Sequence, residues 1–313
     1  MQKELTLSST TITKYENSLV ELAERFTIYL DVSALSVKSY KAGVKNFLAF
    51  LKEHGISQPS RADILEYKKD LLKKYSANTT ALYLSAIRRF FSWLESERLY
   101  SNITDGVKSP RISKEHKRDC FSGDQIKKII TGMKYDTVQE LRDYAIFTLI
   151  ASCGLRCCEV SRANVGDIHS VMGVTVLDIQ GKGHSSKDAF VKLADPVVKA
   201  ITEYLSARGT VKDDEPLFVS CSRRNKGQRL STETISTACK KAMKAAGFDS
   251  KRLTAHSLRH SAITLCLIGG MSLDDVSAFA RHSNVGVTMI YNHAVSRMKS
   301  ACEATVASAI FAA

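Results

Sequence analysis

The sequence has few of the features that would assign it to a common structural class. It has four prolines in 313 residues, no C-x-x-C pair among eight cysteines, and no apolar run approaching about 18 residues. Scarce proline favours helices, and the lack of paired cysteines argues against the common zinc and redox motifs. Since the N-terminus also has no apolar signal core, we expect a cytoplasmic protein with reduced thiols and no membrane span.

Catalytic motifs for nucleotides and metals are also missing. The phosphate-loop pattern G-x-x-x-x-G-K-[ST] is absent, so "GKG" at 181–183 is not such a loop. His256 and His260 have a zinc-like spacing of four, but no Glu occupies the H-E-x-x-H position and no third ligand is evident. Cys153 and Cys157 share that spacing and more often pack than bind metal. We therefore expect neither a metal nor a cofactor.

Positive charge is what the sequence has in excess. Its 45 Lys and Arg against 32 Asp and Glu give a net charge of +13 and a pI near 9.3. A surplus of this size concentrates polyanions near the protein. Nucleic acid is the first candidate partner and an anionic membrane surface the second.

The N-terminal hundred residues have the pattern of four amphipathic helices. Ser60 and Asp63 form a capping box before "ILEYKKDLLKKY", and Tyr83, Ile87 and Phe90 lie on one stripe. The basic, aperiodic segment "VKSPRISKEHKRDC" follows. We predict an N-terminal helical domain over 1–108, a linker over 109–117 and a C-terminal domain over 118–313.

Clusters of basic residues in both predicted domains have two interpretations. A charge run is most often a solvated face, but such a face can also neutralise DNA phosphates. The candidate DNA-binding residues are Lys68, Lys69, Lys73, Arg88 and Arg89 in the first domain, and Arg223 and Arg224 in the loop "SRRNKGQR" of the second.

The C-terminal domain is predicted to be mainly helical with a small β-hairpin. "GVTVLDIQ" and "AFVKL" read as two strands around the turn "GKGHSSKD", with helical patterns on both sides. In the tail, Met298, Cys302, Val306 and Ile310 form a stripe. This stripe packs on its own domain or on a neighbouring subunit.

Four separated segments together supply what a tyrosine needs to break a phosphodiester. The phenol must lose its proton, guanidinium groups suit the charged phosphate oxygens, and the leaving alkoxide needs a general acid. Arginines occur in "GLRCCE" and "HSLRH", a lysine in "GKG", and a histidine and a tyrosine in "RHSNVGVTMIY".

These segments, in this order and spacing, resemble the motif boxes of the tyrosine recombinase (phage integrase) family, with Xer-like or transposon- and integron-type layout. The resemblance implies that 1–108 is a four-helix SAM-like domain that binds the core DNA site, and that 118–313 is a tyrosine recombinase catalytic domain with a C-terminal oligomerisation helix. It implies that Tyr291 forms a 3′-phosphotyrosyl bond and that Arg156 and Arg259 hold the phosphate. Lys182 would protonate the leaving 5′-oxygen, His256 would assist proton transfer at the tyrosine, His282 would bond the phosphate, and Glu159 would support the site.

Two positions leave alternatives open. Arg281 stands where the family usually has Gly, and such a side chain either alters the turn or contacts DNA. Lys187 competes with Lys182 for the acid role, and Lys182 fits the G-K-G pattern better.

The resemblance also implies partners and a reaction. The expected partner is double-stranded DNA with inverted-repeat core sites, bound by a homo-tetramer joined through the C-terminal helix, with a monomer or dimer off DNA. Strand exchange would pass through a Holliday junction without metal or ATP. The rival functions are a type IB topoisomerase-like relaxing enzyme and an inactive DNA-binding protein of the same fold.

Overall fold

The computed structural model describes residues 18–112, 120–181, 183–282 and 284–311. The chain divides into two compact units, Met1–Glu115 and His116–Ala313, each with its own hydrophobic core. Helices dominate both units and one small sheet lies in the second, which confirms the predicted fold class. The predicted linker bounds of 109–117 stay a prediction, because residues 113–117 lie outside the described part of the chain.

The first unit contains the four helices that the periodicity predicted. Side-chain hydroxyls of Ser33 and Ser76 cap two of them, and the Asp63 carboxylate accepts from the Ser60 amide at 2.7 Å. The core is rich in aromatic side chains, with Phe26, Phe47, Phe90, Phe91 and Trp93 all buried. The helices are α1 (Ser18–Tyr29), α2 (Ala34–Glu53), α3 (Arg61–Lys74) and α4 (Ala77–Ser96).

The second unit is organised around α6, a helix buried on almost every side. Residues 145–151 of α6 are all buried, and α8, α9 and α10 pack against it. Its apolar residues are therefore not confined to one stripe. The helices are α5 (Gly123–Thr131), α6 (Val138–Cys153), α7 (Cys157–Arg162), α8 (Asp195–Arg208), α9 (Thr232–Ala245), α10 (Ala255–Ile268), α11 (Leu273–Ala280), α12 (Val285–Lys299) and α13 (Cys302–Phe311).

The sheet of the second unit has three antiparallel strands, β1 (Ile168–Val171), β2 (Val174–Ile179) and β3 (Ala189–Lys192), in the order β1-β2-β3. Two strands were predicted, so the prediction missed β1. This strand is short and largely exposed, and its sequence IHSV lacks apolar alternation. Met172 and Gly173, both with positive φ, close the β1–β2 turn. The β2–β3 loop extends towards the cavity described below.

Within the parts of the chain that the structure describes, no helix combines the length and apolar character needed to cross a bilayer. All eight cysteines are free thiols. Burial raises the pKa of Cys153 to about 12 and that of Cys157 to about 11. These two thiols are therefore protonated at neutral pH and pack as small apolar groups.

Candidate active site

A cavity of about 600 Å³ in the second unit brings together residues that are far apart in the sequence. Of the six predicted catalytic residues, Arg156, His256, Arg259, His282 and Tyr291 all line it. The sixth, Lys182, lies outside the described residues. Its described neighbours Gly181 and His184 line the same cavity.

Arg156 is held at the start of α7 by a carboxylate one turn later. Gly154 ends α6 with a left-handed backbone (φ 59°), which turns the chain so that Arg156 becomes the residue before α7. The Arg156 amide donates to Glu159 Oε2 and its Nη1 donates to Oε1, both at 2.8 Å. The Glu159 side chain is 0% exposed. Burial raises the pKa of Glu159, but Arg281 and Arg156 more than offset this, so the pKa is lowered and the group is ionised.

Arg259 is a charged side chain that lies buried on α10, a helix whose other buried residues are mainly small or apolar. It is 2% exposed, and Nη1 donates to the Gly154 carbonyl at 2.5 Å while Nη2 donates to the Ala280 carbonyl. Burial and the nearby Arg156 and Arg281 lower its pKa to about 10, so it is still charged at neutral pH. Two carbonyls orient the guanidinium without cancelling its charge, which favours an anion in the cavity.

Arg281 adds a third guanidinium to the cavity. Its Nη2 lies 3.0 Å from Glu159 Oε2, and its side chain is 12% exposed. It occupies the left-handed end of α11 (φ 53°). Three arginines therefore converge at this cavity, and the buried carboxylate of Glu159 pairs with two of them, which leaves an excess of positive charge.

The hydroxyl of Tyr291 is hydrogen-bonded to Nδ1 of His260. Both residues are buried, and their ring centroids lie 5.1 Å apart. His256 lies one helical turn before His260, with its ring edge-on at 4.3 Å. The tyrosine hydroxyl is thus in contact with the second histidine of "HSLRH".

His282 is ordered by a buried threonine of the next helix. Its Nδ1 lies 2.9 Å from Thr288 Oγ1, and its ring stacks near Tyr291 with centroids 6.3 Å apart. Burial, together with Arg259, Arg156 and Arg281, lowers the pKa of His282 to about 4. The imidazole is therefore neutral at pH 7.

Lys187, the competitor of Lys182, is already paired. Its ammonium contacts Asp167 Oδ1, and the two side chains are 29% and 11% exposed. His184, in the same β2–β3 loop, lines the cavity, and its Nδ1 is hydrogen-bonded to Asp188 Oδ2.

The predicted DNA-binding residues fall into two groups. Lys68 donates to the Lys108 carbonyl at 2.8 Å, and Arg88 donates to the Val107 carbonyl at 2.7 Å and to Ser109 Oγ at 3.0 Å. These two side chains hold the segment after α4 in the first unit. The exposed members, which are open to a phosphate contact, are Lys69, Lys73, Arg89, Arg223 and Arg224.

Sequence reasoning missed the roles of His260 and Arg281 at this cavity. His260 was considered only as a zinc ligand, although its position one turn after His256 places both on one face of α10. Among the described residues, no group of three or more His, Cys, Asp or Glu side chains could hold a metal ion. Arg281 was noticed only as a departure from the family pattern.

Comparison with known proteins gives matches over both units. Residues 120–297 match the phage integrase family, and residues 23–98 match the N-terminal SAM-like domain of phage integrases. Tyrosine recombinase XerC of Caldanaerobacter subterraneus subsp. tengcongensis is 29% identical over 308 residues, which cover 90% of this chain and 84% of the relative.

Two solved structures have a similar fold. A XerH site-specific recombinase bound to palindromic difH substrate, in a post-cleavage complex, has a TM-score of 0.73 at 18% identity, covering 95% of this chain and 86% of that one. A lambda integrase tetramer bound to a Holliday junction has a TM-score of 0.65 at 16% identity, covering 91% and 80%. The catalytic-domain match alone spans more than half of the sequence. As the motif boxes predicted, the chain belongs to the phage integrase family of tyrosine recombinases.

Proposed function

We propose that this tyrosine recombinase is a site-specific enzyme that cleaves and rejoins DNA strands through a phosphotyrosyl bond to Tyr291. One observation carries the proposal: the cavity that Tyr291 lines also holds three guanidiniums. Among the described residues, Glu159 is the buried carboxylate at this cluster, and it pairs with two of the three, Arg156 and Arg281. Such a site suits a phosphate diester, which brings negative charge and gains more during attack. The phenol oxygen attacks phosphorus, the 5′-oxygen leaves, and the phosphodiester energy is retained in the new bond.

Arg156 and Arg259 hold the non-bridging oxygens of the scissile phosphate in this proposal. Arg259 has a fixed orientation because two backbone carbonyls accept from it. Arg156 is oriented by Glu159, which supports the site without reacting. Guanidiniums fixed before the phosphate arrives stabilise the transition state without a cost of reorganisation.

The histidines handle protons and hydrogen bonds. His260 contacts the tyrosine hydroxyl, so it is placed to accept the phenol proton as attack begins, with His256 assisting from the adjoining ring position. In the tautomer in which Thr288 donates to Nδ1, the neutral His282 carries its proton on Nε2. That N–H is then available to donate to the phosphate.

Lys182 remains the proposed general acid for the leaving 5′-oxygen. Two observations support this choice over Lys187. The ammonium of Lys187 is paired with Asp167. Gly181 and His184, on either side of Lys182, line the cavity. A lysine ammonium in this loop would deliver a proton as the alkoxide leaves.

We expect Lys182→Ala to slow cleavage by about 10²- to 10⁴-fold, because an unprotonated alkoxide leaves poorly. Replacing the 5′-oxygen with sulfur should restore the rate of that variant, since a thiolate leaves without a proton. Single-turnover cleavage of oxygen- and sulfur-linked duplexes measures both effects. Lys187→Ala is the matched control and should cleave both at close to the normal rate. The assignment would be wrong if Lys187→Ala showed the defect and the sulfur rescue.

The DNA partner is proposed to be a duplex with inverted-repeat core sites, bound by both units. Exposed basic residues support this, above all Lys69, Lys73 and Arg89 in the first unit. A tetramer on a Holliday junction, joined through α13, is proposed for the exchange step. Every residue of α13 is exposed, including Val306, Ile310 and Phe311, so its apolar side chains are available to a second copy of the chain. A cytoplasmic location stays a prediction.

A trapping experiment tests the proposed function against its rivals. Duplexes with randomised cores and a nick beside the cleavage position are incubated with protein in EDTA and without ATP, and covalent complexes are isolated and sequenced. We expect an adduct on Tyr291, identified by peptide mass spectrometry, and a recovered core with inverted repeats. DNA binding without an adduct would favour the inactive binder. Relaxation of any supercoiled plasmid, with no exchange between two recovered sites, would favour the topoisomerase.

A further inference from the structure

Arg281 occupies a backbone position that disfavours its side chain. Its φ of 53° lies in the left-handed region, which a glycine adopts freely. The family pattern has Gly at this position, between α11 and His282. An arginine held in this backbone conformation needs a compensating interaction of its side chain.

The side chain makes three hydrogen bonds that join two catalytic segments. Its Nη1 donates to the Phe279 carbonyl at 2.6 Å, and its Nη2 donates to Glu159 Oε2 at 3.0 Å and to the Gly154 carbonyl at 3.2 Å. Its Nε is buried and has no hydrogen-bond partner among the described residues. The guanidinium therefore connects the end of α11 to the turn that carries Arg156.

Each acceptor in that turn is shared with one of the proposed phosphate-binding arginines. Glu159 also binds Arg156, and the Gly154 carbonyl also accepts from Arg259. Arg156 and Glu159 alone would carry no net charge, whereas the cluster of three that includes Arg281 has a net charge of +1. Without Arg281, the buried carboxylate of Glu159 would largely cancel the positive charge that Arg156 presents to the phosphate.

We propose that Arg281 is a positioning residue that brackets Glu159 together with Arg156, so that Arg156 and Arg259 face the scissile phosphate with fixed geometry and uncancelled charge. This inference rests on the proposed function, because it assigns a phosphate to the cavity. It goes beyond the family pattern, in which glycine has no side chain to play this part.

The test uses Arg281→Gly, Arg281→Lys, Glu159→Gln and the double variant Glu159→Gln/Arg281→Gly on a nicked duplex that the unmodified protein cleaves. Glycine suits the backbone here, so we expect Arg281→Gly to fold. At saturating protein its cleavage rate should fall about 10- to 100-fold, while its Kd for the duplex changes little. Arg281→Lys should recover part of the rate, because one ammonium can reach Glu159 but cannot also span the carbonyls.

The double variant shows whether Arg281 acts through Glu159. A neutral amide in place of the Glu159 carboxylate needs no second cation, so removing Arg281 as well should cost far less than the product of the two single effects. Independent effects that multiply would overturn the proposal, as would normal cleavage by Arg281→Gly. A loss confined to Kd would also overturn it, because that result indicates a simple DNA contact. If the unmodified protein forms no adduct, the proposed function itself fails, which is a separate result.

Discussion

Tyr291→Phe should abolish covalent capture of DNA while leaving DNA binding intact. The substitution removes only the hydroxyl oxygen, which is the proposed nucleophile and the hydrogen-bond partner of His260. Cleavage should fall by about 10⁴-fold or more, the scale expected when a nucleophile is deleted. The lost hydrogen bond should lower the free energy of unfolding by only about 1 kcal/mol. Adduct formation on a nicked duplex and thermal unfolding measure the two effects.

Tyr135→Phe is the matched control for this substitution. Tyr135 is 59% exposed and its ring packs on Tyr144, away from the cavity residues. This variant should cleave and rejoin normally. Strand joining by Tyr291→Phe at an undiminished rate would show that another group attacks the phosphate, and the proposed mechanism would be wrong.

Arg259→Lys should also produce a large loss of cleavage, even though it preserves the charge. The guanidinium donates to two carbonyls at once, from Gly154 and Ala280, and a single ammonium cannot hold both at that geometry. One of these two buried hydrogen bonds is then lost, which costs about 1–3 kcal/mol of stability. The cleavage rate should also fall about 10²- to 10³-fold, because a preorganised donor to the phosphate is lost.

Arg142→Lys is the control that separates the loss of stability expected of Arg259→Lys from its loss of cleavage. Arg142 is also a buried arginine, 5% exposed, with Nη1 donating to the Val219 carbonyl at 3.0 Å and an ion pair to Asp143. It does not line the cavity. We expect Arg142→Lys to lower the unfolding temperature but to cleave normally at temperatures where it is folded. Equal cleavage defects in the two variants would mean that Arg259 serves only the fold.

Much of the local structure follows from the sequence because it depends on near neighbours. Helix α3 begins where Ser60 and Asp63 predict it, and the apolar spacing of α4 places Ile87, Phe90 and Phe91 in the core. Strand β1 was missed because its own four residues have no strand pattern, and it is stabilised by pairing with β2.

By itself, the sequence determined the family, the helical fold class and the order of the chemical groups, because motif spacing and amphipathic periodicity are properties of the chain. Only the tertiary structure decided which side chains touch. It placed His260 against Tyr291, paired Lys187 with Asp167, and set Arg281 beside Glu159, 122 residues away in the chain. Such contacts arise when distant segments pack together: α10 against α12, the end of α11 against the α6–α7 turn, and the β2–β3 loop against the segment before β1. No local pattern encodes the resulting distances.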